Sequence, residues 1–307
     1  MLNLKIFRRE RGGAVIFGGK MLTISLFTDP MMGLSYESEP FLRKVETHFG
    51  GQVQCRPVMS GLVRNVYDFV DPNDLAISPE YAIAQYLPRL AQIYNAEQSI
   101  SGMPIQITEL ALFSTERPSS LPLNLAYKAV ELIAPDKAAA FLYRLRFATI
   151  AEQRPTTEFN EILRVVEQVG IDKTHFERRY HSDTAQAALE QDFRCKKSLQ
   201  IDRLPAYLFE YKGKQQLVQG VLDEQALFTI ITKLTDGKLQ PQAPAISQSA
   251  VKKLIEKHKL ISPIEIQYAF GLENMAEVEH HLTPIFQQDE ITKIIVPNGW
   301  FIESQMA

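Results

Sequence analysis

Cysteine is scarce in this sequence. Only Cys55 and Cys195 occur among 307 residues, and neither has a second cysteine or a histidine at the short spacings of a metal site. Two isolated thiols exclude a framework of several disulfides and indicate a reducing compartment. We therefore expect a cytoplasmic protein with no metal and no cofactor.

Long apolar runs are missing as well. No stretch approaches the ~18 residues that a membrane-spanning helix needs. The formal net charge of −3 argues against broad binding to nucleic acids or to anionic membranes, so we expect the partner to be a protein. The basic start lacks the apolar core and the cleavage site of a signal peptide, and residues 1–20 are interpreted as an N-terminal arm.

A more local absence lies between a predicted strand at 22–27 and a predicted helix that begins near Glu39-Pro40. Thiol oxidoreductases place Cys-x-x-Cys at such a helix N-terminus, where the helix dipole and free N–H groups lower the pKa of the first thiol. Here Met32 and Ser35 stand at the two cysteine positions. A thioether cannot form a thiolate, and a serine needs a partner base. We therefore predict degenerate redox positions and no catalytic residue.

The order of elements along the chain predicts a mixed α/β protein with an insertion. A second strand is expected at 53–59, helical periodicity dominates from about 75 to 200, and a β-hairpin with a following helix is expected at 203–234. Pro205 enters the first strand of that hairpin. It is our candidate for a cis-proline facing the Met32–Ser35 loop.

The C-terminal part predicts three helices followed by a β-hairpin, which is winged-helix order. Its third helix carries Glu273, Glu277 and Glu279 and no Lys or Arg, and residues 248–307 hold five Lys against eight acidic residues. DNA binding depends on phosphate neutralisation, so this composition favours a protein-binding or scaffold role.

Five short motifs, in chain order, carry a resemblance to a known family: Thr28-Asp29-Pro30, Glu39-Pro40, Ser101-Gly102-Met103-Pro104, Leu204-Pro205 and Gly299-Trp300-Phe301. Together they resemble the DsbA-like Spx adaptors of the ClpXP protease, known as YjbH, over roughly residues 22–304. The resemblance implies a thioredoxin-like (DsbA-type) α/β domain with a large helical insertion, plus a C-terminal winged-helix-like domain. The predicted domains are the arm at 1–20, the DsbA-like domain at 21–236, a linker at 237–247 and the winged-helix-like domain at 248–307.

The function that this resemblance implies is a non-redox adaptor or regulator that binds a protein client, or a partner in a protease system. The family usually keeps a cysteine pair at the positions of Met32 and Ser35, so a redox role is not carried over. The groove that holds a client in oxidoreductases would be lined by eight residues: Met31, Met32, Gly33, Leu34, Ser35, Tyr36, Leu204 and Pro205. Exposed Met and aromatic side chains suit adaptable peptide binding, whereas the alternative role of these residues is to pack the helix N-terminus.

An enzyme of the wider DsbA-like superfamily is the alternative function, either a disulfide oxidoreductase or isomerase or a kappa-type glutathione transferase. The catalytic serine of such a transferase would fall at Met32, while Ser35 lies one helical turn later. The position of the hydroxyl therefore favours the adaptor.

Overall fold

The computed structural model describes residues 5–8 and 21–305, so most of the predicted N-terminal arm lies outside the described residues. Its larger sheet contains five strands: β1 (Lys5–Arg8), β2 (Leu22–Thr28), β3 (Val53–Met59), β4 (Ala206–Tyr211) and β5 (Lys214–Gln219). Their order is β1-β5-β4-β2-β3. Only β2 and β3 run parallel, and the register of β2 with β4 places Ser25 opposite Leu208. The sheet thus joins the beginning of the described chain to the late hairpin.

The alternation of apolar residues in the strands explains this sheet. Leu22 and Ile24 are buried against the helices at Glu39–Phe49 and Glu224–Leu234, whereas Phe27 belongs to a cluster with Ala206 and Leu208. Pro57 lacks a backbone N–H and lies in β3, at the edge of the sheet, where no further strand needs that donor.

Thirteen α-helices occur within the described residues. They are α1 (Gly33–Glu37), α2 (Glu39–Phe49), α3 (Pro72–Ile77), α4 (Pro79–Glu97), α5 (Leu121–Ile133), α6 (Ala138–Arg146), α7 (Phe159–Gln168), α8 (Lys173–Tyr180), α9 (Asp183–Ser198), α10 (Glu224–Leu234), α11 (Gln248–His258), α12 (Pro263–Phe270) and α13 (Met275–Phe286). The seven helices α3 to α9 lie between β3 and β4 and form the helical insertion. No helix in the described part of the chain combines the length and the apolar character needed to cross a bilayer.

The smaller sheet lies in the C-terminal part. Its strands are β6 (Leu260–Ile261), β7 (Ile291–Val296) and β8 (Gly299–Ser304), in the antiparallel order β6-β8-β7. The two-residue strand β6 was not predicted, because two apolar residues between helices carry no periodicity. Helices α11 to α13 cover this sheet around Val251, Ile266 and Leu282, which are buried together.

A buried polar contact, which we call the seam, joins α2 to the C-terminal part. Arg43 of α2 donates from Nη2 to Oε1 of Glu265 in α12 at 2.7 Å. Oε2 of Glu265 accepts from the backbone N of Ser262 at 2.8 Å and from the Tyr143 hydroxyl of α6. Burial lowers the pKa of Arg43, but Glu265 and two further carboxylates outweigh it and hold that pKa above its ordinary value. Arg43 therefore stays charged, and its partner carboxylate is fully hydrogen bonded.

Candidate functional site

Asp29 fixes the loop that carries the degenerate redox positions. Its carboxylate is buried, and it accepts from the backbone N of Met31 at 3.1 Å and of Leu62 at 2.7 Å. It also accepts from Ser120 Oγ and from Asn124 Nδ2, both at 2.8 Å. Burial raises the pKa of Asp29, and these four hydrogen bonds oppose that rise. The Asp of the Thr-Asp-Pro motif therefore ties the loop to the start of α5.

The positions of the lost thiols form the end of a directed hydrogen-bond chain, which we call the Arg146–Met32 chain. Arg146 Nη2 donates to Thr28 Oγ1 at 2.6 Å, and that hydroxyl donates to Ser35 Oγ at 2.8 Å. Ser35 in turn donates to the Met32 sulfur at 3.2 Å. Neither a threonine hydroxyl nor a thioether is a base at neutral pH. Ser35 is therefore not activated as a nucleophile by these partners.

Arg146, at the end of α6, is the residue of this site that sequence reasoning missed. Besides Thr28 it contacts Glu39, with Nη1 to Oε1 at 2.6 Å, and both side chains are largely buried. Its Nε has no hydrogen-bond partner among the described residues. The Glu39-Pro40 motif was noticed in the sequence, but nothing in the helical periodicity of α6 indicated which residue would meet it.

Pro205 lies across a small cavity from Ser35. The Leu204–Pro205 peptide bond is cis, and the cavity is lined by Ser35, Ser38, Arg146 and Pro205 among others. Its volume is about 10 Å³, which is the space of a single water molecule. The structure therefore brings Ser35 and Pro205 together, without room for a peptide between them.

The structure shows no exposed groove at three of the residues that were predicted to line it. Met31, Met32 and Tyr36 are all buried. Tyr94 of α4 donates its hydroxyl to the carbonyl of Met31 at 2.5 Å, and the Tyr36 hydroxyl donates to the carbonyl of Pro104 at 2.9 Å. The insertion closes over the loop, so these side chains pack the N-terminal end of α1 instead of facing solvent.

The other predicted groove residues are also distributed differently from expectation. Gly33 is buried beneath Glu97, and a Cβ at Gly33 would stand 1.8 Å from Glu97 Oε2. Leu34 is half-buried, and the half-buried Leu204 packs on the cluster around Phe27. A side chain at position 33 would have to displace the Glu97 carboxyl group and the Tyr94 ring.

Two buried carboxyl groups beside α1 were not recognised from the sequence. Oε2 of Glu37 accepts from Ser101 N at 2.9 Å, from Ser101 Oγ at 2.6 Å and from Met103 N at 3.4 Å, which gives the Ser-Gly-Met-Pro motif its role. Oε1 of Glu37 and Oε2 of Glu97 are buried without partners among the described residues. Burial raises the pKa of each group to about 7. Both sites are therefore poised to titrate near neutral pH.

The two cysteines lie in separate elements. Cys55 is in β3 and Cys195 is in α9, and both are exposed and not joined in a disulfide. Within residues 5–8 and 21–305, no group of three or more His, Cys, Asp or Glu side chains is arranged to hold a metal ion.

The sequence model of a thioredoxin family, Thioredoxin_5, matches residues 25–226, which is about two thirds of the chain. The chain belongs to this thioredoxin family. The match runs from β2 through the insertion to α10, so the expected thioredoxin-like domain with a helical insertion is confirmed. It ends before α11, and the C-terminal part is outside it.

Individual relatives of this thioredoxin-family chain extend the likeness. The ClpXP adapter protein SpxH of Halalkalibacterium halodurans is 24% identical over 288 residues, which cover 92% of this chain and 88% of that protein. SpxH of Bacillus subtilis is 21% identical over 290 residues, covering 93% and 90%. A Streptomyces coelicolor structure described as a probable DsbA oxidoreductase has a TM-score of 0.53 at 14% identity, covering 74% of this chain and 93% of that one. The fold is therefore DsbA-like, as the sequence motifs indicated.

Proposed function

We propose that this chain is a non-redox adaptor that binds a client protein and delivers it to the ClpXP protease. The observation that carries the proposal is the extent of the similarity to the SpxH adapters, which covers 92% of this chain and includes its C-terminal part. A relative that shared only an oxidoreductase scaffold would match the thioredoxin-like part alone. The setting proposed with this role is the cytoplasm.

The closed redox site supports the same role. Where an oxidoreductase needs two thiols and an open groove, this chain has Met32 and Ser35 in a buried hydrogen-bond chain that begins at Arg146. The space beside Pro205 is the size of one water molecule. Client binding is therefore expected on another surface of the molecule.

We further propose that residues 248–307 form a winged-helix-like module after a linker at 237–247, and that residues 21–236 form the DsbA-like domain. The antiparallel order β6-β8-β7, with β6 between α11 and α12, supports the winged-helix arrangement. The proposed linker is held to α2, because the backbone N of Gln242 donates to the carbonyl of His48 at 2.8 Å. Such a module would act as a rigid scaffold or a protein-binding surface.

The test is reconstituted proteolysis with purified ClpX, ClpP and Spx from one organism, with this chain added at increasing concentration. We expect Spx degradation to accelerate severalfold and to saturate. Replacing both Cys55 and Cys195 with Ser should leave that acceleration unchanged, because the proposed role uses no thiol. Absence of any acceleration, together with absence of binding to Spx and to ClpX, would overturn the proposal.

A further inference from the structure

Exposed apolar side chains are concentrated on one short segment of the insertion. Phe69, Ile77 and Tyr81 expose 44%, 69% and 41% of their surface, and they lie within residues 68–81. The segment contains α3 and the beginning of α4. Soluble proteins seldom cluster large exposed apolar residues unless the surface binds something.

The segment is well anchored, so its exposed side chains are held in place. The Asp71 side chain caps α3 by accepting from a backbone amide at 2.8 Å. Ser78 caps α4 by accepting from the backbone N of Tyr81 at 3.1 Å. The Phe69 ring lies 6.3 Å from the ring of the buried Tyr86. The apolar surface is therefore displayed by two capped helices.

Acidic residues outnumber basic ones around these apolar groups, and Arg64 and Arg89 lie at the two ends of the segment. Residues 65–88 contain four acidic residues and no Lys, Arg or His. The four are Asp68, Asp71, Asp74 and Glu80. Within the described part of the chain none of them forms an ion pair, and the nearby Arg64 lies over the Phe193 ring at 4.2 Å. We call the three apolar and four acidic residues together the acidic apolar patch.

We propose that the acidic apolar patch binds a cationic amphipathic segment of a protein client. Apolar side chains of the client would cover Phe69, Ile77 and Tyr81, and its Lys or Arg residues would pair with the surrounding carboxylates. The inference rests on the proposed adaptor function and names the surface that recognises the client.

The charge of the patch decides between possible occupants. An anionic membrane surface and a nucleic acid would both be repelled by four unpaired carboxylates. A symmetric dimer through this surface would bring the same acidic groups of two copies together. A basic and apolar protein segment complements both properties at once.

Fluorescence anisotropy with two synthetic peptides tests the proposal. The probe is a labelled peptide of about 16 residues, roughly four helical turns, with Leu and Lys at helical spacing. Its twin carries Glu in place of every Lys. We expect saturable binding of the Lys peptide that weakens with salt, and at least about tenfold weaker binding of the Glu peptide. Equal affinity for the two peptides would overturn the proposal.

Two isoleucines of nearly equal exposure provide a matched pair of variants. Ile77→Ser removes an anchor of the patch, whereas Ile295→Ser alters a residue of β7 that is 71% exposed. We expect Ile77→Ser to weaken binding of the Lys peptide about tenfold and Ile295→Ser to leave it unchanged. Equal effects of the two substitutions would show that the peptide does not bind at the patch.

A second matched pair addresses charge. One variant combines Asp68→Asn, Asp74→Asn and Glu80→Gln, and the other combines Glu273→Gln, Glu277→Gln and Glu279→Gln in and beside α13. Only the first should lower the affinity and flatten its salt dependence, with circular dichroism confirming that both variants fold. If both lose affinity equally, attraction to the net negative charge explains the binding and the proposal fails. Should the patch fail while the chain still accelerates Spx degradation, the adaptor function stands and the client binds elsewhere.

Discussion

The seam and the loop that carries Met32 and Ser35 each contain a buried arginine. Glu39 of α2 contacts both arginines. Its Oε1 lies 2.6 Å from Arg146 Nη1, and its Oε2 lies 3.8 Å from Arg43 Nη2. At the seam both oxygens of Glu265 are hydrogen bonded. At the loop the Nε of Arg146 lacks a described partner beside a cavity of about 10 Å³.

This difference teaches where the molecule depends on its buried charges. The loop has no thiols, and its Arg146–Met32 chain ends on a thioether. Substitutions at Met32 and Ser35 should therefore change stability little. At the seam, the buried carboxylate of Glu265 accepts hydrogen bonds from α2, from α6 and from the backbone N of Ser262. Removing Glu265 takes away one of the three carboxylates that compensate Arg43 and leaves the Tyr143 hydroxyl and the Ser262 backbone N without this acceptor, which is costly.

The largest effect is expected from Glu265→Ala at the seam. Arg43, the Tyr143 hydroxyl and the backbone N of Ser262 would all lose their acceptor. We expect the free energy of unfolding, measured by urea denaturation, to fall by about 3 to 5 kcal/mol. The double variant Arg43→Met with Glu265→Leu should lose less, because it leaves neither charge of that pair buried alone.

The matched control breaks an exposed pair. Lys214 contacts Asp236 at 2.6 Å on the surface, where water screens the pair, so Lys214→Ala should lower the free energy of unfolding far less than Glu265→Ala. If Glu265→Ala proved no more destabilising than Lys214→Ala, the seam would contribute no more to stability than a surface ion pair. That result would contradict the importance assigned to the buried charges.

An intermediate effect is expected from pH at the carboxyl groups beside α1. Glu37 and Glu97 have pKa values of about 7 in the folded protein, above the ordinary value of 4.5. Between these values the folded protein keeps protons that the unfolded chain releases, so the contribution of these groups to stability is greatest below about pH 4.5 and falls as pH rises to about 7. Glu37 should contribute up to about 3 kcal/mol to that fall. The partly exposed Glu97 should contribute less, because solvent screens its charge.

Glutamine variants isolate this contribution from other titrating groups. Subtracting the stability of Glu97→Gln or Glu37→Gln from that of wild type at each pH should give a difference that declines from pH 4.5 to 7. A flat difference at either site would show that burial does not raise its pKa.

The smallest effect on stability is expected at the end of the Arg146–Met32 chain. The double variant Met32→Cys with Ser35→Cys should fold with a stability close to that of wild type and form a reversible disulfide, measured by thiol titration. Because both positions are buried, the reduced thiols should react slowly with added reagent. Wild type should not reduce insulin, and cysteine-dependent turnover by wild type would contradict the non-redox interpretation.

Local sequence patterns determined much of the fold. The strand predicted at 22–27 is β2, and the hairpin with a following helix predicted at 203–234 is formed by β4, β5 and α10. The Asp223 side chain caps that helix by accepting from Ala226 N at 2.7 Å. The loss of both thiols at Met32 and Ser35 was also legible, because chemistry depends on residue type. These features need only neighbouring residues, so one chain suffices to read them.

The tertiary structure alone decided what surrounds those residues. Arg146 meets Thr28 across 118 residues, and Arg43 meets Glu265 across 222 residues. Helical periodicity shows that a face is apolar, but not which distant element will cover it. Periodicity therefore places Tyr94 on a buried face. The hydrogen bond from its hydroxyl to the carbonyl of Met31, which helps to close the expected groove, depends on how the insertion packs. The residue types fixed what the loop cannot do, and long-range packing decided which surface remains open for binding.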